Sequence, residues 1–479
     1  MRGILKYLAL AAGYIFCFYF IAANRFGSDN MSYIDDMILH VQQKNATQPE
    51  FVQAATEVLD SIRPVVEANR TYQDWALLER LVEPERATVF RISWADDAGK
   101  VHTNRGYRVQ FNSAIGPYKG GLRFHPSVNM SIIKFLGFEQ IFKNSLTGLP
   151  IGGGKGGSDF NPKGKSEMEI MRFCQSFMTA LYRYIGPDID VPAGDMGVGG
   201  REIGYLFGQY RRLKGVWENG VLTGKGFSYG GSLTRPEATG YGAMYYLEEV
   251  LKHEGEDIKG KTIACAGFGN VTWGICKKAK QLGAKVVTLS GPDGYIYDEE
   301  GVSSSDEKVE YLVTMRNSGR NKVKDYADKF GVPFFPGEKP WGVKVDVVMP
   351  SAMQNDVKMD SAEKIVANGV KYYIEVANMP TTNDALYYLM SQKNMIVAPS
   401  KAVNAGGVGV SALEMAQNSE RLVWTAEEVD SQLKRMMQNI HKVSAEAAEE
   451  YGLGYNLVAG ANIAGFKKVA EAMMEQGVF

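Results

Sequence analysis

The sequence predicts an α/β protein of two domains, of which the second contains a doubly wound sheet. Three observations support this expectation. The chain of 479 residues is long enough for two or three domains with sizeable cores. From residue 262 onward, short apolar runs alternate with helical stretches, as in a parallel sheet flanked by helices. The first of these runs leads into a glycine-rich turn, Gly267-Phe-Gly269.

The amino-terminal segment differs from the rest of the chain. Arg2 and Lys6 precede an apolar run over residues 7–23, the composition of a signal peptide or a short membrane anchor. Met31 then opens an amphipathic helical pattern. We expect Met31 to be the true start and the leader, residues 1–30, to lie outside the mature protein. Export or membrane tethering is the alternative.

Composition narrows the range of partners. The net charge is −1 and no basic run with interleaved aromatic residues occurs, so nucleic acid is not expected as a partner. The four cysteines show no disulfide-rich spacing, and with the five scattered histidines they form no metal motif. We therefore expect a cytoplasmic protein without a metal ion.

The first half of the chain combines helical and strand-like patterns. Strand-like runs cover residues 88–93 and 107–111. A helix is predicted over residues 130–146 from the spacing of its apolar side chains. Within it Gln140 and Lys143 are three residues apart, so they project from one face, beside the glycine-rich loop that follows.

Three lysines in this half lie among or beside glycines. Lys119 stands in Gly-Pro-Tyr-Lys-Gly-Gly, Lys143 in Phe-Lys-Asn and Lys155 in Gly-Gly-Gly-Lys-Gly-Gly, and Asp195 follows in Pro-Ala-Gly-Asp. Because glycine permits close approach to a ligand, these cations predict a pocket for a small molecule with several negative charges. Neighbouring cations and burial lower a lysine's pKa, so one lysine could transfer protons, with Asp195 as the second proton-transfer group. The alternative is lysines on a solvated face with glycines in turns.

A P-loop is excluded by spacing. Counted back from Lys155, the first glycine of that motif would fall at Leu149, and the magnesium-binding hydroxyl would fall at Gly156. Neither residue can serve, so a nucleoside-triphosphate site is not predicted here.

The second half begins after the pair Gly230-Gly231, which we take as the domain boundary. Its elements alternate in the order of a doubly wound, Rossmann-like sheet. The expected strands are 262–266, 285–289, 345–349, 372–376 and 395–399, and the expected helices are the stretch that ends at 282, then 309–330, 361–367 and 383–391.

The turn after the first of these strands predicts a dinucleotide site. Gly267 and Gly269 let backbone amides and a helix N-terminus face a pyrophosphate, although Thr272 stands where glycine or alanine is usual. Asp293, after the second strand, would bind an adenosine ribose and repel a 2′-phosphate, and the next lysine is Lys308. NAD is therefore expected, with NADP possible. Alternatively, Asp293 is an ordinary turn residue.

Together these motifs closely resemble those of the hexameric glutamate dehydrogenases. The resemblance extends from Met31 to the C-terminus. Besides the lysine motifs and Pro-Ala-Gly-Asp195, it rests on Arg235-Pro-Glu-Ala-Thr239-Gly-Tyr-Gly, Ala377-Asn378-Met-Pro-Thr-Thr, Asn404-Ala-Gly-Gly-Val408 and Gly460-Ala-Asn-Ile-Ala-Gly-Phe.

The resemblance implies a reversible oxidative deamination of L-glutamate to 2-oxoglutarate and ammonia. It assigns Lys119 and Ser411 to the distal carboxylate of glutamate. It assigns Gln140 and Lys143 to the α-carboxylate, with the backbone of Gly194 near the α-amino group.

The same resemblance implies the remaining roles in the site. Lys155 is the catalytic lysine and Asp195 the carboxylate that moves protons. Thr239 and Asn270 are cofactor contacts, and Asn378 lies near the nicotinamide. The chain departs from the family at Met353, where a small hydroxyl residue is usual, which puts one polar contact near the cofactor in doubt.

The resemblance also implies domain limits and assembly. Residues 31–228 and 455–479 would form a substrate-binding and oligomerisation domain, and residues 229–454 the dinucleotide-binding domain. The cleft between them would hold the active site, in a homohexamer.

Two other functions stay open at this point. A related branched-chain or aromatic amino-acid dehydrogenase would share most motifs but would lack a lysine at position 119, since an apolar substrate side chain needs no counter-charge. A membrane-anchored nucleotide sensor without catalytic activity is the alternative of another class.

Overall fold

The structure, a computed structural model, describes residues 32–478. The predictions about the leader, residues 1–30, lie outside this range. Within it, no helix is both long and apolar enough to cross a membrane.

The elements of the described part alternate between helices and strands in both halves. In chain order the helices are α1 (Tyr33–Lys44), α2 (Pro49–Ser61), α3 (Arg63–Glu67), α4 (Thr71–Asp74), α5 (Leu77–Leu81), α6 (Met130–Leu146), α7 (Glu167–Leu181), α8 (Gly200–Lys214), α9 (Ala238–His253), α10 (Asn270–Leu282), α11 (Asp306–Asn317), α12 (Lys324–Phe330), α13 (Met359–Ala367), α14 (Asn383–Met390), α15 (Ser400–Val403), α16 (Gly406–Glu420), α17 (Ala426–Glu450) and α18 (Leu457–Glu475). The strands are β1 (Arg86–Ala95), β2 (Val101–Asn112), β3 (Tyr118–Phe124), β4 (Gly152–Ser158), β5 (Asp190–Ala193), β6 (Thr262–Cys265), β7 (Lys285–Gly291), β8 (Gly294–Tyr297), β9 (Phe334–Pro336), β10 (Val347–Met349), β11 (Tyr372–Ile374) and β12 (Ile396–Ala398).

The first sheet has the strand order β1-β2-β4-β3-β5. Strands β1, β2 and β4 pair antiparallel, whereas β4, β3 and β5 pair parallel. Leu122 and Phe124 of β3 pack on α7 and α8. Val109 and Phe111 of β2 pack on α6, the amino-terminal helices and α18. Helices therefore cover both faces of this sheet.

The glycine-rich run around Lys155 is a strand and not the loop expected from its composition. It forms β4, which lies between β2 and β3 and is buried along its whole length. A Cβ at Gly153 would stand 2.6 Å from Cγ1 of Ile141 in α6, and a Cβ at Gly120 would stand 1.7 Å from the carbonyl oxygen of Gly154. The glycines thus allow β3, β4 and α6 to approach closely around Lys155.

The second sheet has the order β12-β11-β10-β6-β7-β8-β9. The strands from β12 to β7 are parallel, and each begins within or at the edge of a run expected to be a strand. The order reverses at β6, between β7 and β10. In such sheets ligands bind beyond the carboxyl ends of the strands at this reversal. The predicted two-domain α/β fold is confirmed.

Two details of the second half differ from expectation. Strands β8 and β9, of four and three residues, add an antiparallel edge that no sequence alternation announced. The helix expected over residues 309–330 is broken into α11 and α12. Gly319 and Asn321 have φ of +67° and +55° between them, and such left-handed residues cannot continue a right-handed helix.

The last helix, α18, packs on the preceding helix α17 and also returns to the first half of the chain. Ile463, Phe466 and Val469 are buried in the core that α1, α2 and α6 share. A Cβ at Gly465 would stand 3.3 Å from Cα of Phe142, so glycine brings α18 close to α6.

Candidate active site

A cavity of about 820 Å³ is lined by residues of both sheets and their flanking helices. All the site residues expected from the sequence line it, except Asp293. They are Lys119, Gln140, Lys143, Lys155, Gly194, Asp195, Thr239, Gly267, Gly269, Asn270, Asn378 and Ser411.

Lys155 and Asp195 form an ion pair in this cavity. Nζ of Lys155 lies 3.0 Å from Oδ2 of Asp195, and the lysine side chain is 5% exposed. Burial lowers the pKa of Lys155, and the charge of Asp195 opposes this effect. Burial alone would raise the pKa of Asp195, but the charges of Arg123 and Lys155 outweigh it and hold that pKa well below its usual range. Each of the two groups can exchange protons with a ligand bound beside the pair.

Arg123 also contacts Oδ2 of Asp195, and this contact was not predicted from the sequence. Its Nε lies 3.0 Å from Oδ2 of Asp195. The two residues are 72 positions apart and meet only because β3 and β5 are neighbours. The spacing of residues along the sequence therefore could not have predicted this pair.

Lys119, a second lysine of the cavity, is completely buried. Its Nζ donates to the carbonyl of Val191 at 3.0 Å and to Oγ1 of Thr223 at 2.8 Å. Burial, and after it the charge of Arg235, lowers the pKa of Lys119. Among residues 32–478 the ammonium has no carboxylate within ion-pair distance. A buried cation of this kind is stabilised by an anionic ligand.

Arg235 and Ser411 complete this first anion position. Nε of Arg235 donates to Oγ of Ser411 at 2.8 Å, and that hydroxyl donates to the carbonyl of Gly407 at 3.1 Å. Arg235 belongs to the motif Arg-Pro-Glu-Ala-Thr-Gly-Tyr-Gly, but no role was predicted for it. Two cations and a hydroxyl suit a carboxylate.

Lys143 marks a second anion position. It lies on α6, and its Nζ donates to Oδ1 of Asn378 at 2.8 Å. Nδ2 of Asn404, another residue without a predicted role, donates to the same oxygen at 3.0 Å. Burial lowers the pKa of Lys143 to about 8; the charge of Glu139 opposes this effect, and Lys155 and Asp195 have smaller effects. In the described part of the chain, Lys143 also lacks a carboxylate within 4.0 Å.

Gln140 lies one helical turn before Lys143. Its Nε2 donates to Oδ1 of Asn144 at 2.6 Å, which fixes the amide on the cavity wall. Gly194 follows β5, where a Cβ would stand 2.6 Å from the carbonyl oxygen of Val198. Glycine at this position therefore lets the chain pass close to Val198 beside the cavity.

The turn from β6 to α10 provides a place for a pyrophosphate. Gly267 has φ of +78°, and a Cβ at Gly269 would meet no atom within 4 Å, so that face is open. Asn270 begins α10 and lines the cavity with both glycines. Helix N-termini bind phosphate through free N–H groups, so these residues fit a dinucleotide.

Thr272 is accommodated where glycine or alanine was expected. Its Oγ1 donates to the carbonyl of Ala266 at 3.0 Å and contacts Oγ of Ser351 at 3.1 Å. Close packing of α9 on α10 is provided by other glycines. A Cβ at Gly240 would stand 2.4 Å from the amide nitrogen of Ile275.

Asp293 does not line the cavity. Its carboxylate accepts hydrogen bonds from the backbone N–H of Val323 at 2.9 Å and of Lys324 at 3.1 Å, beside the start of α12. Carboxylates are stabilising at helix N-termini, which accounts for this position. The cavity is bordered instead by Ser290, Gly291 and Pro292. These contacts favour the alternative in which Asp293 is a turn residue that caps backbone amides, and the ribose contact stays a prediction.

Two further observations concern the cofactor end. Met353 lines the cavity and is 58% exposed, so its thioether replaces a hydroxyl at the wall. Within residues 32–478, no group of three or more His, Cys, Asp or Glu side chains could hold a metal ion.

Comparison with known proteins identifies the family. The model of "Glutamate/Leucine/Phenylalanine/Valine dehydrogenase" matches residues 230–477, and that of the "Glu/Leu/Phe/Val dehydrogenase, dimerisation domain" matches residues 84–212. The chain is 70% identical to the NAD-specific glutamate dehydrogenase of Clostridium symbiosum over 446 residues, which are 93% of this chain and 99% of that protein. The chain belongs to the glutamate dehydrogenase family. The resemblance seen in the motifs is thereby confirmed.

Other members of the family differ in their named coenzyme. The NAD-specific glutamate dehydrogenase of Porphyromonas gingivalis is 55% identical over 92% of this chain and 99% of that protein. The NADP-specific enzyme of Haemophilus influenzae is 54% identical over 93% and 99%. A solved glutamate dehydrogenase structure superposes with a TM-score of 0.92 at 70% identity, covering 93% of this chain and 99% of that one. The Plasmodium falciparum glutamate dehydrogenase gives 0.89 at 51%, covering 93% and 95%.

Proposed function

We propose that this protein catalyses the reversible oxidative deamination of L-glutamate to 2-oxoglutarate and ammonia, with NAD as the preferred coenzyme. One observation carries the proposal. The cavity holds two separate positions where cations lack an anionic partner within the described residues, Lys119 with Arg235 and Lys143 by itself. A substrate with two carboxylates satisfies both. Family membership and the 70% identical NAD-specific glutamate dehydrogenase support the same conclusion.

The first anion position favours glutamate over aliphatic or aromatic amino acids. Lys119 is fully buried and positively charged when it binds a carboxylate. A leucine or phenylalanine side chain would leave this ammonium without a counter-charge in a water-poor site. The related branched-chain and aromatic activities are therefore disfavoured.

Lys155 and Asp195 divide the proton transfers. In the deamination direction Lys155, whose pKa is lowered by burial, holds the oxygen of the attacking water and takes up its proton. Asp195 holds the substrate nitrogen and returns a proton to the departing ammonia. Bound NAD supplies the hydride acceptor. Closure of the cleft excludes water, which strengthens both interactions.

The preference for NAD does not rest on Asp293, which caps backbone amides. Two cations line the coenzyme end, and one of them has an anionic partner. Lys339 lies 2.9 Å from Asp356, and Arg316 donates to Oδ1 of Asn270. Within residues 32–478, Arg316 therefore keeps an uncompensated positive charge near the coenzyme end, and the expected preference for NAD over NADPH rests on the 70% identical NAD-specific relative.

We also propose a homohexamer. Strand β1 forms one edge of the first sheet, pairs only with β2 and exposes Val89 at 51%, while Val101 of β2 is 70% exposed. A long edge strand with apolar side chains is a pairing surface for a second copy. The matching family model names this region a dimerisation domain. Light scattering of the purified protein measures the assembly.

The domain limits and location are proposals as well. We place residues 31–228 and 455–479 in the substrate-binding domain and residues 229–454 in the dinucleotide-binding domain. The interval between the two family models, residues 213–229, and the packing of α18 on α6 support these limits. We propose a cytoplasmic location, since Cys174, Cys265 and Cys276 are buried free thiols.

The test is an assay of the purified protein for oxidation of NADH and of NADPH that depends on 2-oxoglutarate and ammonia. We expect activity with both substrates present, a higher kcat/KM for NADH, and none when either substrate is omitted. If the protein is inactive with NADH and also with NADPH, the proposal is overturned.

A further inference from the structure

Asp195 is held by two cations at a single oxygen atom. Nε of Arg123 and Nζ of Lys155 each lie 3.0 Å from Oδ2. Arg123 is 12% exposed and Asp195 is 20% exposed, so both groups are largely removed from water. The proposed reaction uses Lys155 and Asp195, and it leaves the second cation unexplained.

The arginine side chain is fixed by the strand that carries it. On either side of Arg123 in β3, Leu122 and Phe124 are buried in the core formed with α7 and α8. The amide of Phe124 donates to the carbonyl of Met196 at 2.9 Å, which ties β3 to the turn that contains Asp195. A Cβ at Gly121 would stand 2.9 Å from Cβ of Asp195. Strand and turn therefore hold Arg123 and Asp195 in one geometry.

The two cations differ in what they can do during a catalytic cycle. Lys155 must turn its hydrogens to the substrate and gain or lose a proton, because it acts on the reacting oxygen. When it does so, its attraction for Asp195 weakens. A guanidinium keeps its positive charge in proteins, so Arg123 attracts Asp195 throughout the cycle.

We propose that Arg123 is a positioning residue of the proposed reaction, which keeps the Asp195 carboxylate oriented and ionised while Lys155 is engaged with substrate. The contact is made through Nε. It orients the carboxylate without occupying the oxygen Oδ1, which stays available to the substrate nitrogen. This inference rests on the function proposed above.

The charges that act most strongly on Asp195 come from two cations, and the buried carboxylate of Glu139 on α6 acts on Lys155 and Lys143. Arg123 comes from β3 and Lys155 from β4. Lys143 of α6 and Arg235, before α9, act at longer range. Removing Arg123 takes away a positive charge that favours ionised Asp195 and disfavours protonated Lys155. The apparent pKa values of both groups should therefore rise together.

The experiment compares Arg123→Gln and Arg123→Lys with wild type from pH 6 to 10, in full-length enzyme with 2-oxoglutarate, ammonia and NADH. We expect Arg123→Gln to lower kcat about 10- to 100-fold, within the range that acid–base catalysis contributes. The alkaline limb of its kcat profile, which Lys155 sets, should move about one pH unit upward. Arg123→Lys should restore most of kcat. The KM for 2-oxoglutarate should change less than about threefold, since a transition-state contact affects mainly kcat.

A matched control is Arg172→Gln, which breaks the surface pair of Arg172 with Asp97 in the same half of the chain. It should leave kcat and the pH profile unchanged. Thermal unfolding and NADH fluorescence titration check that each variant is folded.

Two outcomes would overturn the inference. A large rise in KM with unchanged kcat would make Arg123 a direct carboxylate ligand. An unchanged kcat and pH profile would leave it without a role in the reaction. If wild type itself lacked activity in this assay, the proposed function would fail first, so the two failures are distinguishable.

Discussion

Replacing Lys119 with leucine is expected to change substrate preference more than any other single substitution. Lys119 is completely buried, bonded only to neutral oxygens, and Arg235 is the other cation at its anion position. Losing one partner of a desolvated carboxylate costs roughly 2–5 kcal/mol. Because Arg235 remains, we expect about 3 kcal/mol, which corresponds to a loss of about 100-fold in kcat/KM for glutamate.

The same change should spare an aliphatic substrate. Norvaline has no distal carboxylate, so its kcat/KM should fall little or rise when leucine lines the pocket. The assay is NAD reduction with glutamate and with norvaline, and the exposed Lys163→Leu is the control, with no expected effect. Equal losses for both substrates would show that Lys119 supports the fold or contacts the α-carboxylate, and would refute this reasoning.

Three other expectations follow from the site and its surroundings. Lys155→Ala should lower kcat by about 10²–10⁴-fold with little change in unfolding temperature or NADH binding, because its contact is strongest in the transition state; near-normal turnover would falsify the assignment. Since burial lowers the pKa of Lys143 to about 8, the KM for 2-oxoglutarate should rise above about pH 8 as the ammonium loses its proton, which a pH series of KM values measures. Glu375 is buried and accepts hydrogen bonds from Thr381 and Ser400, and burial raises its pKa to about 7. The stability that its protonated form contributes is present below the pKa of Glu375 in the unfolded chain and is lost as pH rises through 7. Between pH 5 and pH 8, the free energy of unfolding of Glu375→Gln should therefore rise relative to that of wild type by up to about 3 kcal/mol. Urea unfolding measures this, and the same difference between variant and wild type at both pH values would contradict it.

Sequence reasoning succeeded where the signal is local. The helix expected over 130–146 has those bounds in the structure, because its apolar spacing is long and Asn129 caps its N-terminus through a side-chain bond to Ile132. It placed Gln140 and Lys143 on the cavity wall for the same reason. The alternation of strands and helices in the second half followed from patterns over many residues.

Sequence reasoning was incomplete where contacts between residues far apart in the chain determine the structure. The run around Lys155 has the composition of a loop, yet it is the central strand β4, since glycine is required there by the close approach of α6. Asp293 was expected to face the coenzyme, but the amides beside α12, thirty residues further on, compete for its carboxylate. The contacts of Arg123 and Arg235 join distant positions, and spacing along the chain carries no sign of them.

The most direct test of the central claim, that the cavity binds a dicarboxylic amino acid through two separate cation positions, is the specificity of the purified enzyme. It consists of kcat/KM values with NAD for L-glutamate, L-norvaline, L-leucine and L-phenylalanine under one set of conditions. An unmatched buried charge costs about 3 kcal/mol, so glutamate should exceed each of the others by about 100-fold or more. A comparable value for leucine or phenylalanine would contradict the account, because it would show that the buried ammonium of Lys119 does not require a carboxylate.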